Sequence, residues 1–268
     1  MAIGAMVETP RKSPLIEYPE TDGQPMTESD ATRNYLIYCV EALRLFFQSR
    51  PQVYVSGNLF IYYQEGQLEK SVSPDVFVVF GVSKRQRRTY KVWQERDKLP
   101  SFVLEVTSKT TKKHDEEVKP QLYASLGVEE YFQYDPTGDY LNPQLKGRRL
   151  VNGSYEPIAP EPRSDDVLSI HSSVLGLDLR LLPPVQTAIE FPELLPTRKE
   201  LRLFDPQTGT KLLNYQETEQ ARQEAEQTAN VERQRADQAE QQVAALLAQL
   251  RSLGIDAELP PAIDPDQL

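Results

Sequence analysis

Leu36, Val40, Leu43 and Phe47 recur at intervals of four, three and four residues, which lines one face of a helix. Thr27 followed by Asp30 resembles a capping box with Asp in place of the usual Glu, and Pro51 closes the segment, so a helix is predicted over about residues 28–48. The pattern then changes to short β-rich runs at residues 53–55, 59–63, 75–80 and 101–107, separated by Gly57, Gly66, Gly81 and Pro100. These read as strands of one sheet. Val118, Leu122 and Leu126 stand four apart and Gly127 follows where a helix stops, predicting a second helix that runs into a strand at 128–135. The core order is therefore helix, three strands, helix, strand.

Asn152-Gly153 between two β-rich runs predicts a hairpin, because a type I′ turn needs two residues that tolerate positive φ. Residues 201–204 and 211–213 bracket Asp205-Pro206-Gln207-Thr208-Gly209 as a final turn pair. Peripheral hairpins of this kind extend the sheet. Between Gln216 and Leu253 there is no Gly, Pro or aromatic residue. The segment fits a heptad with Ala229, Ala236, Val243 and Leu250 at one position and Ala225, Ala239, Leu246 and Leu253 at the other. Arg222 and Glu232 fall on the same stripe, so the pattern predicts a long helix that either forms a coiled coil with another copy or stands solvated alone. Proline-rich residues 1–26 read as a flexible arm, 27–215 as the main α/β domain, 216–253 as the helical extension and 254–268 as a flexible tail.

Composition narrows the chemistry. One cysteine, Cys39, cannot form an internal disulfide, and two histidines, His114 and His171, leave little material for a zinc cage. No apolar run approaches the ~18 residues of a membrane span, so a cytoplasmic protein without membrane contact is expected. The net charge of -10 argues against a nucleic-acid coat protein. The average hides a split, because residues 70–150 carry 15 Lys or Arg against 11 Asp or Glu while the rest carries 15 against 29. Ser108 lacks the flanking glycines of a nucleophile elbow, and no glycine-rich phosphate loop is present.

Pro74-Asp75 opens one apolar strand and Glu105 lies inside another, Phe102-Val103-Leu104-Glu105-Val106. A carboxylate in such a run is costly unless it is paired, exposed at a sheet end or bound to a cation. If the two strands are neighbours, Asp75 and Glu105 can hold a hard divalent ion, Mg²⁺ being the natural candidate and Mn²⁺ a substitute. The structural alternative is a salt-bridged acid at a sheet end.

Asp75 after a proline, a strand glutamate about thirty residues on and the αβββαβ order resemble the PD-(D/E)XK restriction-endonuclease-like superfamily. The run Glu105 to Thr111, then Asp115, Lys119, Tyr123, Gly127-Val128, Glu130-Tyr131 and Asp135-Pro136, is similar more specifically to the Uma-type restriction endonuclease family. The resemblance implies a restriction-endonuclease-like α/β core, Mg²⁺-dependent hydrolysis of DNA phosphodiester bonds, and Asp75 and Glu105 as metal ligands. It also implies a catalytic lysine. The usual E-x-K spacing is absent, since Thr107 stands two residues after Glu105, and the resemblance then points to Lys119 on the following helix. Thr107, Lys109 and Asp115 are subsidiary candidates, Asp115 reading first as a helix N-cap, and Glu41 projects from the first helix toward either the metal or solvent.

Lys84-Arg85-Gln86-Arg87-Arg88-Thr89-Tyr90-Lys91 places five cations in eight residues, with Tyr90 and Trp93 beside them. Phosphate contacts release counterions and aromatics stack on bases, so Lys84, Arg85, Arg87, Arg88 and Lys91 form the candidate DNA-binding loop, against the plainer reading of a charged surface loop. The expected function is a metal-dependent endodeoxyribonuclease that associates through its C-terminal helix as a homodimer or other homo-oligomer. The alternative is a nuclease-fold protein without turnover that binds DNA or recruits partners through that helix.

Overall fold

The computed structural model describes residues 17–19, 29–108, 111–162, 167–183 and 199–254. The chain divides into two units, Met1–Leu212 and Leu213–Leu268. In the first, helix α1 spans Asp30–Phe46 and is capped by Ser29, whose hydroxyl accepts the Thr32 N–H at 3.2 Å. The helix thus begins from Ser29, and Thr27, expected to cap it, lies outside the described residues. Its apolar face buries Tyr38, Cys39, Val40, Ala42 and Leu43, and burial pushes the Cys39 thiol up to about 12, which leaves it an inert packing group.

The central sheet has six strands in the order β1-β4-β6-β7-β8-β9. They are β1 (Val53–Ser56), β4 (Val76–Phe80), β6 (Phe102–Val106), β7 (Glu130–Tyr134), β8 (Leu145–Val151) and β9 (Ser154–Pro157). β4 runs antiparallel to β6, and β6 runs parallel to β7 across a helical crossover. Alternation of side chains divides the sheet into two faces. Val76, Val78, Phe102, Leu104, Val106, Phe132 and Tyr134 pack with α1, whereas Phe77, Val79, Val103 and Tyr131 belong to a second core on the other face. The β8–β9 turn is the expected one, with Asn152 at φ 51° and Gly153 at φ 83°.

The run at residues 59–63 does not join that sheet. After Gly57 the chain turns through Asn58, whose φ is 45°, and Asn58 N–H donates to the Pro74 carbonyl at 2.9 Å. β2 (Ile61–Tyr62) therefore pairs with β3 (Ser71–Val72) and β5 (Tyr90–Lys91) in a separate three-stranded sheet. Residues 17–19 of the expected flexible arm are held there: the Tyr62 hydroxyl donates to the Pro19 carbonyl at 2.6 Å, and the Tyr18 ring lies against Tyr62 and Trp93. A third, antiparallel sheet contains β10 (Glu161–Pro162), β11 (Leu168–Ser172), β12 (Leu177–Leu182) and β13 (Glu200–Phe204). Its Leu177, Leu179, Leu181, Leu201 and Leu203 share the α1 core.

The crossover between β6 and β7 starts with a π-helical turn, His114–Val118, and continues as α2, Lys119–Ser125. Pro120 sits in the first turn of α2, directly after the π-helical turn, and Gly127 ends the helix at φ 75°. The expected apolar stripe is not the buried one, because Val118 is 51% exposed while Asp115 and Tyr123 are buried. The sheet face below offers Glu105 and Gln133, both buried, so a polar stripe is what fits there. In the second unit, α3 spans Tyr215–Ser252 behind a capping box of Asn214 and Glu217, and none of its residues is buried.

Candidate active site on the central sheet

The pairing of β4 with β6 sets Val76 opposite Leu104 and Phe77 opposite Val103, which brings Asp75, just before β4, against Glu105. Alternation puts both carboxylates on the face shared by Phe77 and Val103. Val106 N–H donates to Asp75 Oδ2 at 2.7 Å, and Asp75 N–H reaches Glu105 Oε2 at 3.4 Å. Only a glycine fits beside this junction, since a Cβ on Gly57 would stand 2.1 Å from the Asp75 carbonyl oxygen.

The crossover covers the same face. Asp115, Lys119 and Tyr123, at intervals of four, project from one side of it. Lys119 Nζ lies 2.8 Å from Glu105 Oε2 and 2.8 Å from Asp115 Oδ1, and the buried Tyr123 hydroxyl donates to Glu105 Oε1 at 2.6 Å. The π-helical turn is tied down by β7: the Asp115 carbonyl accepts the Tyr131 hydroxyl at 2.7 Å and Gln133 Nε2 at 3.1 Å. Gln133 is the register partner of Glu105. The N-cap role expected of Asp115 is absent, because the residue stands inside the π-helical turn and its side chain pairs with Lys119.

Three carboxylates share one ammonium in this buried setting, an excess of two negative charges if all are ionised. Burial holds the Asp75 carboxyl well above the usual range, with the Glu105 charge adding to it and Lys119 opposing. For Lys119, burial opposes the charge, but Glu105, Asp115 and Asp75 outweigh it and keep the ammonium protonated. Burial and then Glu105 raise the Tyr123 hydroxyl, so it remains a donor. Thr107 Oγ1, Gln133 Oε1 and Asp115 Oδ2 are buried without a hydrogen-bond partner among the described residues. Among those residues no group of three or more His, Cys, Asp or Glu is arranged to hold a metal ion.

Thr107, where the E-x-K lysine is missing, is fully buried. Glu41 is not brought to the site: it is exposed on α1, which packs on the opposite face, and it pairs with Arg44 at 2.8 Å. Lys109 lies outside the described residues. Tyr123, Tyr131 and Gln133 complete the constellation without having been singled out for a role. The available signal is that Tyr123 follows Lys119 by the same interval that separates Lys119 from Asp115.

The basic segment folds largely onto the protein. Lys84 Nζ donates to the Phe47 and Gln48 carbonyls at 2.6 and 2.9 Å. Arg87, with its side chain only 3% exposed, grips Glu95 and lies 4.2 Å above the Tyr54 ring, which makes it a packing residue instead of an outward phosphate contact. Lys91 stands over the Tyr18 ring, and Tyr90 is buried with its hydroxyl on the Lys98 carbonyl, so Tyr90 offers no stacking platform. Arg85 also pairs with Glu95 yet stays 58% exposed, and Arg88 is exposed.

A family model named Uma2 and described as "Putative restriction endonuclease" matches residues 11–182. A solved structure from Anabaena variabilis, described as a "putative nuclease belonging to DUF820", is similar at 13% identity and a TM-score of 0.37, covering 55% of this chain and 84% of that one. No curated protein matches the chain.

Proposed function

Because the chain belongs to the Uma2 family, and so to the restriction-endonuclease-like superfamily, we propose that it is a Mg²⁺-dependent endonuclease acting on DNA phosphodiester bonds. One observation carries this reading: Asp75 and Glu105 converge on one face of the sheet with Lys119 Nζ 2.8 Å from Glu105. The order α1, β1, β4, β6, α2, β7 supports a restriction-endonuclease-like core. Three carboxyl groups to one ammonium in a buried site fit a hard divalent cation, with Mn²⁺ a workable substitute. Asp75 and Glu105 would hold it. When bound, such an ion lowers the pKa of its water and offsets charge on the transferring phosphate.

The chain's own residues do the rest. Lys119 brings an ammonium to the edge of the acid pair, suited to steadying a developing anion or orienting a water. Asp115 holds that ammonium from its other side, so it aims Lys119 without touching the phosphate. Arg85, Arg88 and Lys84 supply positive charge for backbone phosphates, and α3 supplies a stripe for a second copy, which suits cleavage of two strands.

A second reading, a DNA-binding or partner-recruiting protein without turnover, draws support from Lys119 itself. Its ammonium already pairs with two of the three acids, a balance that holds the fold together with no reaction. Supercoiled plasmid incubated with Mg²⁺ or Mn²⁺, beside Glu105→Ala, separates the readings. Nicking or linearisation by the wild type and not by the variant supports the nuclease. Intact plasmid in both, with a gel shift retained, supports the binding protein.

A further inference from the structure

Glu105 has two oxygens, and the fold treats them differently. Oε2 faces Lys119 Nζ at 2.8 Å and the Asp75 N–H at 3.4 Å. Oε1 faces away from that pair and accepts the Tyr123 hydroxyl at 2.6 Å in a fully buried contact. The Tyr123 ring has no freedom to leave, because it packs 5.3 Å from Tyr131 within the second core. We propose that Tyr123 is a positioning residue that fixes the rotation of the Glu105 carboxylate, reserving Oε2 for the cation side of the site.

The physical reason is the conformational freedom of a glutamate. Its terminal torsion is broad and roughly two-fold, so neither oxygen is selected by the side chain alone. A charge-assisted hydrogen bond from a rigid phenol removes that freedom and also keeps Oε1 from being a buried acceptor with no partner. Partners of this kind behind a metal ligand are worth about 10–100-fold in metal affinity. The helix register explains why a tyrosine reaches this oxygen. Tyr123 lies one turn beyond Lys119, so the two side chains approach Glu105 from successive levels of α2, the ammonium on one oxygen and the phenol on the other.

This inference rests on Asp75 and Glu105 forming a cation site, and its test separates the two claims. Mn²⁺ binding is titrated by electron paramagnetic resonance on the full chain for wild type, Glu105→Ala, Tyr123→Phe and Tyr155→Phe. Tyr155 is the control, since its hydroxyl donates to the Val128 carbonyl in the same aromatic cluster and touches neither acid. The expected result is loss of binding in Glu105→Ala, at least about tenfold weaker binding in Tyr123→Phe and no change in Tyr155→Phe. If Glu105→Ala binds Mn²⁺ like the wild type, the cation site itself is refuted. If Glu105→Ala loses binding while Tyr123→Phe keeps wild-type affinity, the positioning role is overturned and the site stands. Should Tyr123→Phe fail to fold, proton NMR of the wild type decides. The protected Tyr123 hydroxyl proton, identified by its loss in Glu105→Ala, is expected to shift on addition of Mg²⁺, and a resonance unmoved at saturating Mg²⁺ overturns the proposal.

Discussion

Lys119 Nζ stands 2.8 Å from Glu105 Oε2, so the cation this sheet face needs arrives from a helix and not from the strand that carries the glutamate. Thr107 occupies the strand position and leaves its buried hydroxyl unpaired among the described residues. Replacing Lys119 with Met leaves Asp75, Glu105 and Asp115 buried with no counter-charge. Removing one partner of a buried ion pair costs about 3–5 kcal/mol. Lys119→Met is therefore expected to melt well below the wild type and to recover more of that loss on adding Mg²⁺ than the wild type gains. Adding Thr107→Lys, which places an ammonium two residues from Glu105 on the same face, is expected to restore part of the melting temperature. Equal Mg²⁺ shifts in wild type and Lys119→Met would count against a shared electrostatic site.

Gly57 guards the position of Asp75 by having no side chain. With a Cβ 2.1 Å from the Asp75 carbonyl, Gly57→Ala must push apart the ends of β1 and β4. Overpacking of this kind costs roughly 1–3 kcal/mol. The expected outcome is a lower melting temperature together with weakened Mn²⁺ binding, read by the same titration as for Tyr123→Phe. A stable variant with unaltered Mn²⁺ affinity would show that the Asp75 position tolerates the shift.

The acid pair was legible because carboxylates interrupt apolar strand runs, and a charge inside such a run demands a partner whatever the tertiary structure. Lys119 was legible only through the family-like string around it. The partners of Asp115 were not, for a geometric reason. A spacing of four from Val118 predicts an apolar stripe, but burial is decided by the face beneath the helix, and Glu105 and Gln133 reward Asp115, Lys119 and Tyr123 instead. The separate small sheet was hidden similarly, since Ile61 and Tyr62 have the composition of any strand and only the turn at Asn58 diverts them. Five cations in eight residues looked like one surface, whereas Glu95, distant by eight residues from Arg87, draws that guanidinium inward.

Arg87 and Arg85 share Glu95 but differ in exposure, 3% against 58% of the side chain, and this difference predicts opposite phenotypes. The Arg87 hydrogen bonds are the largest influence lowering the Glu95 carboxyl, and Arg87→Ala leaves that buried acid with Arg85 alone. A loss of about 3 kcal/mol is expected, with DNA affinity of the folded fraction preserved. Arg85→Ala and Arg88→Ala should leave the melting temperature nearly unchanged and weaken DNA binding with a shallower salt dependence. Melting curves paired with gel shifts at several salt concentrations test this, and wild-type stability of Arg87→Ala would contradict it.

Asp135 is the clearest source of pH-dependent stability. Its carboxylate accepts N–H groups from Thr137, Gly138, Tyr140 and Leu141 and the Thr137 hydroxyl, closing the loop after β7. Burial opposes ionisation, but these donors outweigh it and hold the carboxyl below its usual value. A folded pKa below the unfolded one stabilises at pH above the unfolded value, and that contribution disappears as pH falls through the folded value. Asp135→Asn sets an amide donor against some of these N–H groups and is expected to cost about 1–3 kcal/mol at pH 7. The gap from wild type should begin to narrow below about pH 4, where the carboxyl of the unfolded chain protonates, and close further as pH falls toward the lower folded value. Melting temperatures from pH 3 to pH 8 measure it, and a gap independent of pH would refute the assignment.

The long helix α3 has the opposite problem to the buried site, because none of its residues is buried. Leu246 is 59% exposed, Val243 38% and Leu253, just past the helix end, 74%, so the larger apolar groups of the heptad stripe lie toward its C-terminal end. Ala236, Ala239, Val243, Leu246, Leu250 and Leu253 fall on the a and d positions of consecutive heptads, so pairing with a second copy would remove them from water. Arg222 and Glu232 interrupt the stripe toward the N-terminal end, which places the strongest contact near Val243 to Leu250. Light scattering is expected to give a mass above the 30.6 kDa of one chain, falling to one chain in Val243→Glu/Leu250→Glu. Helicity should fall with it, since an isolated helix of this composition lacks the packing that sustains most helices. A wild type that scatters as a single chain across the micromolar range removes the homo-oligomer, and α3 is then a solvated helix open to another partner.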